Sequence, residues 1–446
     1  MRFRVRSIIE PVTDLAARAA APPASLLRRA APAVLGYAAV RALGLAVLAV
    51  WSAARDRSAY TLLTARWDSL WYARVAERGY GYEVRLPNGD VHSDLAFFPL
   101  LPWLERLLHA LAPLSYADAG FVVSLLASLA AAAGIFAVAD RAYGSRTGVC
   151  AVLLWAVLPV GAVQSMAYSE SLFTALAAWA LYAVLDGRWL TAGVLAGLAG
   201  LTRPVGVAVV AAVWVVGVVS FVRARGAMRA PGASTVPRAL ARTPGGRGGL
   251  HAQARTPGAP TDTPARSPAG PVGAPSTSCA PARRRALGML IAPLGAAGYV
   301  LWVGRRTGGG PLGYLDVQAG WRNGFDGGYA FARFVGDKFT SFPSALAGLA
   351  LITGVALLIW LYVSGVRARQ PVALLVYTGV VLALALCASS YFGSKPRLLM
   401  PAFPVLLPLA CALARSRTSR AALVTAGLAV AAAVYGAFWL NGSGPP

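Results

Sequence analysis

Residues 65–83 read ARWDSLWYARVAERGYGYE, a charged and aromatic patch in a chain otherwise rich in Ala, Leu, Val and Gly. Asp68 lies between Trp67 and Ser69, with Trp71 and Tyr72 one turn on. Trp and Tyr are the residues that settle at a membrane–water interface. They would hold the Asp68 carboxylate close to headgroup depth. The plainer reading is an aromatic belt in which Asp68 is the N-cap of a short helix. A second stretch, HSDLAFFPLLPWLERLL at 92–108, places His92 and Asp94 before a proline-broken apolar run. A re-entrant or interfacial helix is expected at about 100–112, and long loops of such content are usually functional. Two carboxylates in one loop beside a membrane can supply a general base for a sugar hydroxyl. That is the chemistry of sugar transfer from a lipid-linked donor.

Four further charges bear on the same chemistry. Glu170, in AYSESLF, sits at the head of an apolar run. There it is either a dipole-favoured N-terminal acid or a site residue, since acids at membrane depth are costly. Arg203, before Pro204, either binds a donor phosphate or snorkels from a helix end. Lys395 and Arg397, in SKPRLLMP, make a phosphate clamp or a solvated loop pair. Arg66, Trp67, Trp71, Tyr72 and His92 complete the candidate substrate-binding set, with Asp68 and Asp94 the catalytic candidates. Arg41, two turns into the first apolar run, is expected to snorkel toward the inner face.

The Gly-rich stretch 304–328 lacks the Gly-Lys-Ser/Thr of a phosphate-binding loop. Its Tyr314, Trp321, Arg322 and Asp326 can shape an acceptor cleft. His109 reads as structural, and His251 falls in a linker. No His/carboxylate spacing suits a metal. No cofactor is implied, and divalent-metal dependence stays open. Cys150, Cys279, Cys387 and Cys411 show neither a disulfide framework nor a zinc spacing.

The elements that must position these residues are membrane helices. Of 446 residues, 57% are hydrophobic and 13% charged, against roughly a quarter charged in a soluble domain. Apolar runs at about 34–54, 119–139, 147–166, 169–186, 189–204, 205–222, 286–304, 342–365, 371–390, 398–414 and 420–440 approach the roughly 20 residues that cross a bilayer. Lys and Arg number 41 against 17 Asp and Glu. With the N-terminus inside, Arg2, Arg4, Arg6, Arg28, Arg29, Arg141, Arg146, Arg188, Arg223, Arg225, Arg367, Arg369, Arg415, Arg417 and Arg420 all fall on the inner side. The basic excess therefore reads as topology, not as nucleic-acid binding. The expectation is an all-α polytopic membrane protein with about eleven crossings, N-terminus in and C-terminus out.

The domain plan follows. A cytoplasmic segment (1–33) precedes an N-terminal membrane module (34–222) holding the outer loop 55–117. A basic linker (223–285) of Pro, Gly, Ala, Ser, Thr and Arg is too poor in large apolar residues to fold. A C-terminal membrane module (286–440) with outer loop 305–340 and a tail (441–446) complete it.

WDSLWYARVAERGYGYE followed by DLAFFPLLP resembles the first luminal loop of the PIG-V family, which includes the second mannosyltransferase of GPI-anchor assembly and bacterial relatives. AYSESLF (167–173), LTRPVG (201–206) and SKPRLLMPAFPVLLPL (394–409) resemble that family's later patches, in order. The resemblance implies a GT-C glycosyltransferase in the cell membrane, with its active site extracytoplasmic. It implies Asp68 as the catalytic acid residue and a polyprenyl-phosphate sugar, mannose in the relatives, as donor. The acceptor would be a glycolipid, lipoglycan or glycan. Two alternatives stand beside it: a related enzyme using another polyprenyl-phosphate sugar, and a lipid or sugar transporter, whose charges would lie deeper and whose halves would repeat.

Overall fold

The computed structural model describes residues 23–229, 280–389 and 391–442. Arg2, Arg4 and Arg6, the heart of the expected linker with Cys279, and the last four residues lie outside them.

The chain is an all-α polytopic membrane fold. Among the described residues six helices are long and apolar enough to cross a membrane: Ser25–Ala53, Tyr116–Tyr143, Pro204–Arg223, Ala282–Thr307, Ser344–Arg367 and Thr418–Leu440. Phe392–Leu399 and Phe403–Arg415, bent by 75°, make a seventh if taken as one broken span. Ser145–Ala156, Ser169–Leu185, Trp189–Gly200 and Val372–Cys387 are shorter apolar helices. Each of the apolar runs in the sequence thus contains a helix, but by length and composition six or seven of them qualify as crossings. The helices also reach into the expected linker from both flanks, extending to Arg229 and resuming at Ala280.

The helices run between two polar ends. At one end Arg29 pairs with Asp140 at 2.9 Å, and Arg141 with Asp186 at 3.0 Å. There too Arg146 donates to the Ser416 carbonyl at 2.6 Å. These positions are where Tyr116–Tyr143, Ser169–Leu185 and Leu407–Arg415 finish. The starts of the first two helices therefore lie at the opposite end, where Ser124 Oγ donates to the Tyr168 carbonyl at 2.9 Å. This second end carries the loops that hold Asp68, Glu170, Arg203 and Arg397.

Small residues let the backbones approach closely, as membrane helix interfaces require. Trp189–Gly200 lies along the Ala280–Ile291 and Leu294–Thr307 helices. A Cβ on Gly288 would collide with the Trp189 carbonyl, and one on Gly295 with the Gly197 carbonyl. On Gly200 it would come within 2.7 Å of the Ala296 amide nitrogen. Backbone cannot step aside as a side chain can. Gly295→Val is expected to cost about 2 kcal/mol, seen as a lower thermal midpoint of the detergent-solubilised protein. Gly298→Val, at a position with open space, is the control and should leave the midpoint nearly unchanged.

Two short antiparallel strand pairs were not foreseen. Glu83–Arg85 pairs antiparallel with Val91–Ser93 inside the first loop. Gly324–Phe325 pairs with Ala388–Ser389 and so ties the Gly-rich loop to the segment before Lys395. The helix Leu100–Leu111 forms where an interfacial helix was expected.

Candidate functional site

Asp68 opens the helix Asp68–Arg78. It is not the N-cap that its sequence context suggests. That place is held by Trp67, at φ 53°, and no side chain caps the helix. Positive φ is unfavourable for a bulky residue and tends to persist at functional sites, where the surroundings enforce it. Here the Arg66 guanidinium lies 3.9 Å over the Trp67 ring. Ser69 Oγ closes the turn, donating to the Arg66 carbonyl at 2.7 Å and accepting from the Arg66 amide at 3.0 Å. The turn aims the Asp68 side chain away from its own helix.

It points at Arg397, whose Nη1 lies 2.8 Å from Asp68 Oδ2. Arg397 Nε lies 3.2 Å from Glu170 Oε1, and Arg203 pairs with the same Glu170 oxygen. Four side chains thus alternate in sign, in the order Asp68, Arg397, Glu170, Arg203. Glu170 is 1% exposed, Arg397 10%, Arg203 14% and Asp68 26%. Burial makes a lone charge expensive, and alternation is what lets these stay charged.

Each member comes from a different break in the helices. Glu170 is in the first turn of Ser169–Leu185. Arg203 stands where Trp189–Gly200 ends and Pro204 opens a 3-10 turn. Arg397 lies in the five-residue helix Lys395–Leu399 ahead of the sharp bend. That bend is pinned by Trp155 Nε1 donating to the Met400 carbonyl at 3.1 Å and Tyr377 Oη donating to that of Pro401 at 2.9 Å.

Around the cluster, Tyr72 Oη shares a 2.7 Å hydrogen bond with Ser169 Oγ, and burial pushes its phenol pKa up. The Arg397 guanidinium lies 5.1 Å over the Tyr168 ring. Tyr168 and Ser169 were not singled out from the sequence, although both fall within AYSESLF.

The remaining candidates lie elsewhere. Asp94 is fully buried, and its carboxylate accepts from the Gly81 amide at 3.0 Å and the Tyr82 amide at 2.9 Å. Burial raises its pKa while those amides pull it down. This is the bonding of a residue that folds a loop back on itself. Trp71 stacks on Phe97 at 5.5 Å and meets Trp321 edge-on at 5.0 Å. His92 stacks on Trp321, ring centroids 4.0 Å apart, and burial lowers its pKa. Trp321, from the Gly-rich loop, donates to the Ser93 carbonyl at 3.0 Å, so the two loop segments form one aromatic wall. Arg66 Nη1 donates to the Leu440 carbonyl at 3.1 Å, at the end of the last helix. Lys395 is buried and donates to the Ala385 and Ala388 carbonyls, each at 2.7 Å.

Arg41 does not snorkel. It is buried and donates to the Ala156 and Gly161 carbonyls, capping the interrupted helix that leads to Tyr168 and Glu170. Among the described residues no three His, Cys, Asp or Glu side chains gather as a metal site. Cys150, Cys387 and Cys411 are free.

The family described as dolichyl-phosphate-mannose-protein mannosyltransferase matches residues 94–236, a stretch holding Glu170 and Arg203. No curated protein matches the chain. Among solved structures the chain is similar to ArnT from Cupriavidus metallidurans bound to undecaprenyl phosphate. The identity is 16% and the TM-score 0.48, over 88% of this chain and 63% of that one. It is also similar to the oligosaccharyltransferase AglB from Archaeoglobus fulgidus in complex with an inhibitory peptide and a dolichol-phosphate. There the identity is 12% and the TM-score 0.42, over 92% of this chain and 56% of the other. The chain therefore spans between half and two thirds of the length of each.

Proposed function

We propose that this chain is an integral membrane glycosyltransferase of the GT-C type. It moves mannose from a polyprenyl-phosphate donor to a glycolipid, lipoglycan or glycan at the extracytoplasmic face of the cell membrane. The observation that carries the reading is the Asp68 carboxylate, a quarter exposed, at the end of a buried chain of two arginines and a glutamate. Asp68 takes the proton of the acceptor hydroxyl as that oxygen attacks the anomeric carbon. Arg397 and Arg203 face the negative charge that grows on the departing phosphate. Glu170 keeps the two guanidinium groups side by side. Asp94 keeps the loop folded, and the Trp71–Phe97–Trp321 wall gives the sugar apolar faces to rest on. The phosphoester carries the activation, so no ATP is spent.

Mannose as the sugar is supported by the loop resemblance and by the dolichyl-phosphate-mannose family that matches 94–236. The test is transfer of radiolabel in membranes expressing the full chain, with polyprenyl-phosphate mannose beside the glucose and arabinofuranose donors. Label entering an acceptor from the mannose donor alone is the expected result. Transfer from another donor reassigns the sugar. Uptake of label into vesicles without a new glycosidic bond would replace the enzyme by a transporter.

A further inference from the structure

Within the cluster two carboxylates face two guanidinium groups, so no cation is left over for a third anion. A polyprenyl-phosphate sugar brings one more negative charge. To be neutralised there it must take an arginine from one of the carboxylates. Glu170 is almost wholly buried and holds both arginines through one oxygen. Asp68 is the most exposed of the four and holds a single nitrogen of Arg397. Lys395 is already engaged by two backbone carbonyls, and Arg66 by the Leu440 carbonyl and the Trp67 ring. The pair that yields is Asp68–Arg397.

We propose that Arg397 is a catalytic residue whose guanidinium passes from Asp68 to the donor phosphate, so that donor binding frees the base. This rests on the reading of Asp68 as base and of the donor as a phosphate-linked sugar. The geometry suits such a hand-over. Nε stays anchored on Glu170 at 3.2 Å while Nη1, 2.8 Å from Asp68, is the edge that moves. The Tyr168 ring beneath the guanidinium gives it a face to turn against.

The charges balance along the reaction. The acceptor O–H proton goes to Asp68, and the acceptor oxygen bonds to the anomeric carbon. The bond from that carbon to the phosphate oxygen breaks, with its electron pair left on the oxygen. A phosphodiester monoanion becomes a phosphomonoester dianion as Asp68 becomes neutral. One negative charge has moved from Asp68 to phosphate, where Arg397 already stands to meet it. Acceptor deprotonation before donor arrival is disfavoured, because the resting base is paired.

The consequence is opposite to ordinary loss of a site residue. Removing the Asp68 charge should tighten the binding of a polyprenyl phosphate, because Arg397 no longer has to leave a partner. The full-length protein in lipid nanodiscs is titrated with a polyprenyl phosphate and, separately, with the matching polyprenol. Wild type is expected to prefer the phosphate. Asp68→Asn should bind it about fivefold more tightly, the scale of a partly exposed ion pair, with polyprenol binding unchanged. In Asp68→Asn/Arg397→Gln the gain should vanish. Asp68→Ala gives the same comparison should the Asn variant fold poorly. Equal or weaker phosphate binding in the Asp68 variants, with wild type still selective, overturns the hand-over and leaves the transferase reading intact. A wild type that does not distinguish phosphate from polyprenol overturns both.

Discussion

Asp68→Asn is expected to fold, to reach the membrane at the wild-type level and to lose sugar transfer by at least about a hundredfold, the lower range for removing a general base. The isostere keeps the shape of the side chain and one oxygen toward Arg397, so the loss is of proton acceptance and not of packing. The measurement is initial rate with polyprenyl-phosphate mannose in membranes at matched expression. Under the hand-over by Arg397, the fall should lie in kcat, with an unchanged or lower KM for the donor; an interaction equal in ground and transition states would instead move KM. Asp94→Asn supplies the contrast. Its carboxamide oxygen can still accept from the amides of residues 81 and 82, and its rate is expected to stay within about tenfold of wild type, the loss coming from a looser loop. Equal rates for Asp68→Asn and wild type would take Asp68 out of the chemistry.

How far this could be read beforehand differs from residue to residue. Run length and apolarity located each of the six long apolar helices among the described residues, because a bilayer leaves the backbone few other options. They did not separate helices that pass the length of the fold from the shorter ones that stop at Pro204 or after Ala156. Asp68 was visible as an acid in an aromatic patch, Glu170 as a costly charge heading an apolar run, and Arg203 and Arg397 as phosphate-binding candidates. Their mutual contact was not, since positions from 68 to 397 meet only through tertiary packing. Local logic misled where a distant partner outbid it. Asp68 in the sequence Trp-Asp-Ser has the look of a cap, yet a guanidinium more than three hundred residues away claims it. Arg41 has a stem long enough to snorkel, yet the open carbonyls of an interrupted helix are nearer than water. Lys395 and Arg397 look alike in SKPRLLMP, but one serves backbone carbonyls and the other joins the charge cluster.

Glu170→Ala should be the most damaging single change in the molecule, and for stability before activity. Glu170 is the only acid touching Arg203 and one of two touching Arg397 among the described residues. Removing it leaves two largely buried cations with one exposed-side carboxylate between them. Breaking a buried pair this way costs about 3–5 kcal/mol, because the surviving charge is desolvated and unpaired. The loss is larger than for Asp140→Ala at the other end, where the Arg29 partner is 41% exposed and free to turn to water, and where that pair and the Ser145 hydrogen bond together are expected to be worth about 2 kcal/mol. Thermal unfolding of the two variants in the same detergent orders them. A polyprenyl phosphate should then restore part of the Glu170→Ala stability, since its phosphate supplies the negative charge that the arginines have lost, and binding to the folded state alone adds stability by mass action. The matching polyprenol should restore none. Equal rescue by both lipids would mean that the two arginines do not face the donor's phosphate, and the site would have to be sought on another side of Asp68.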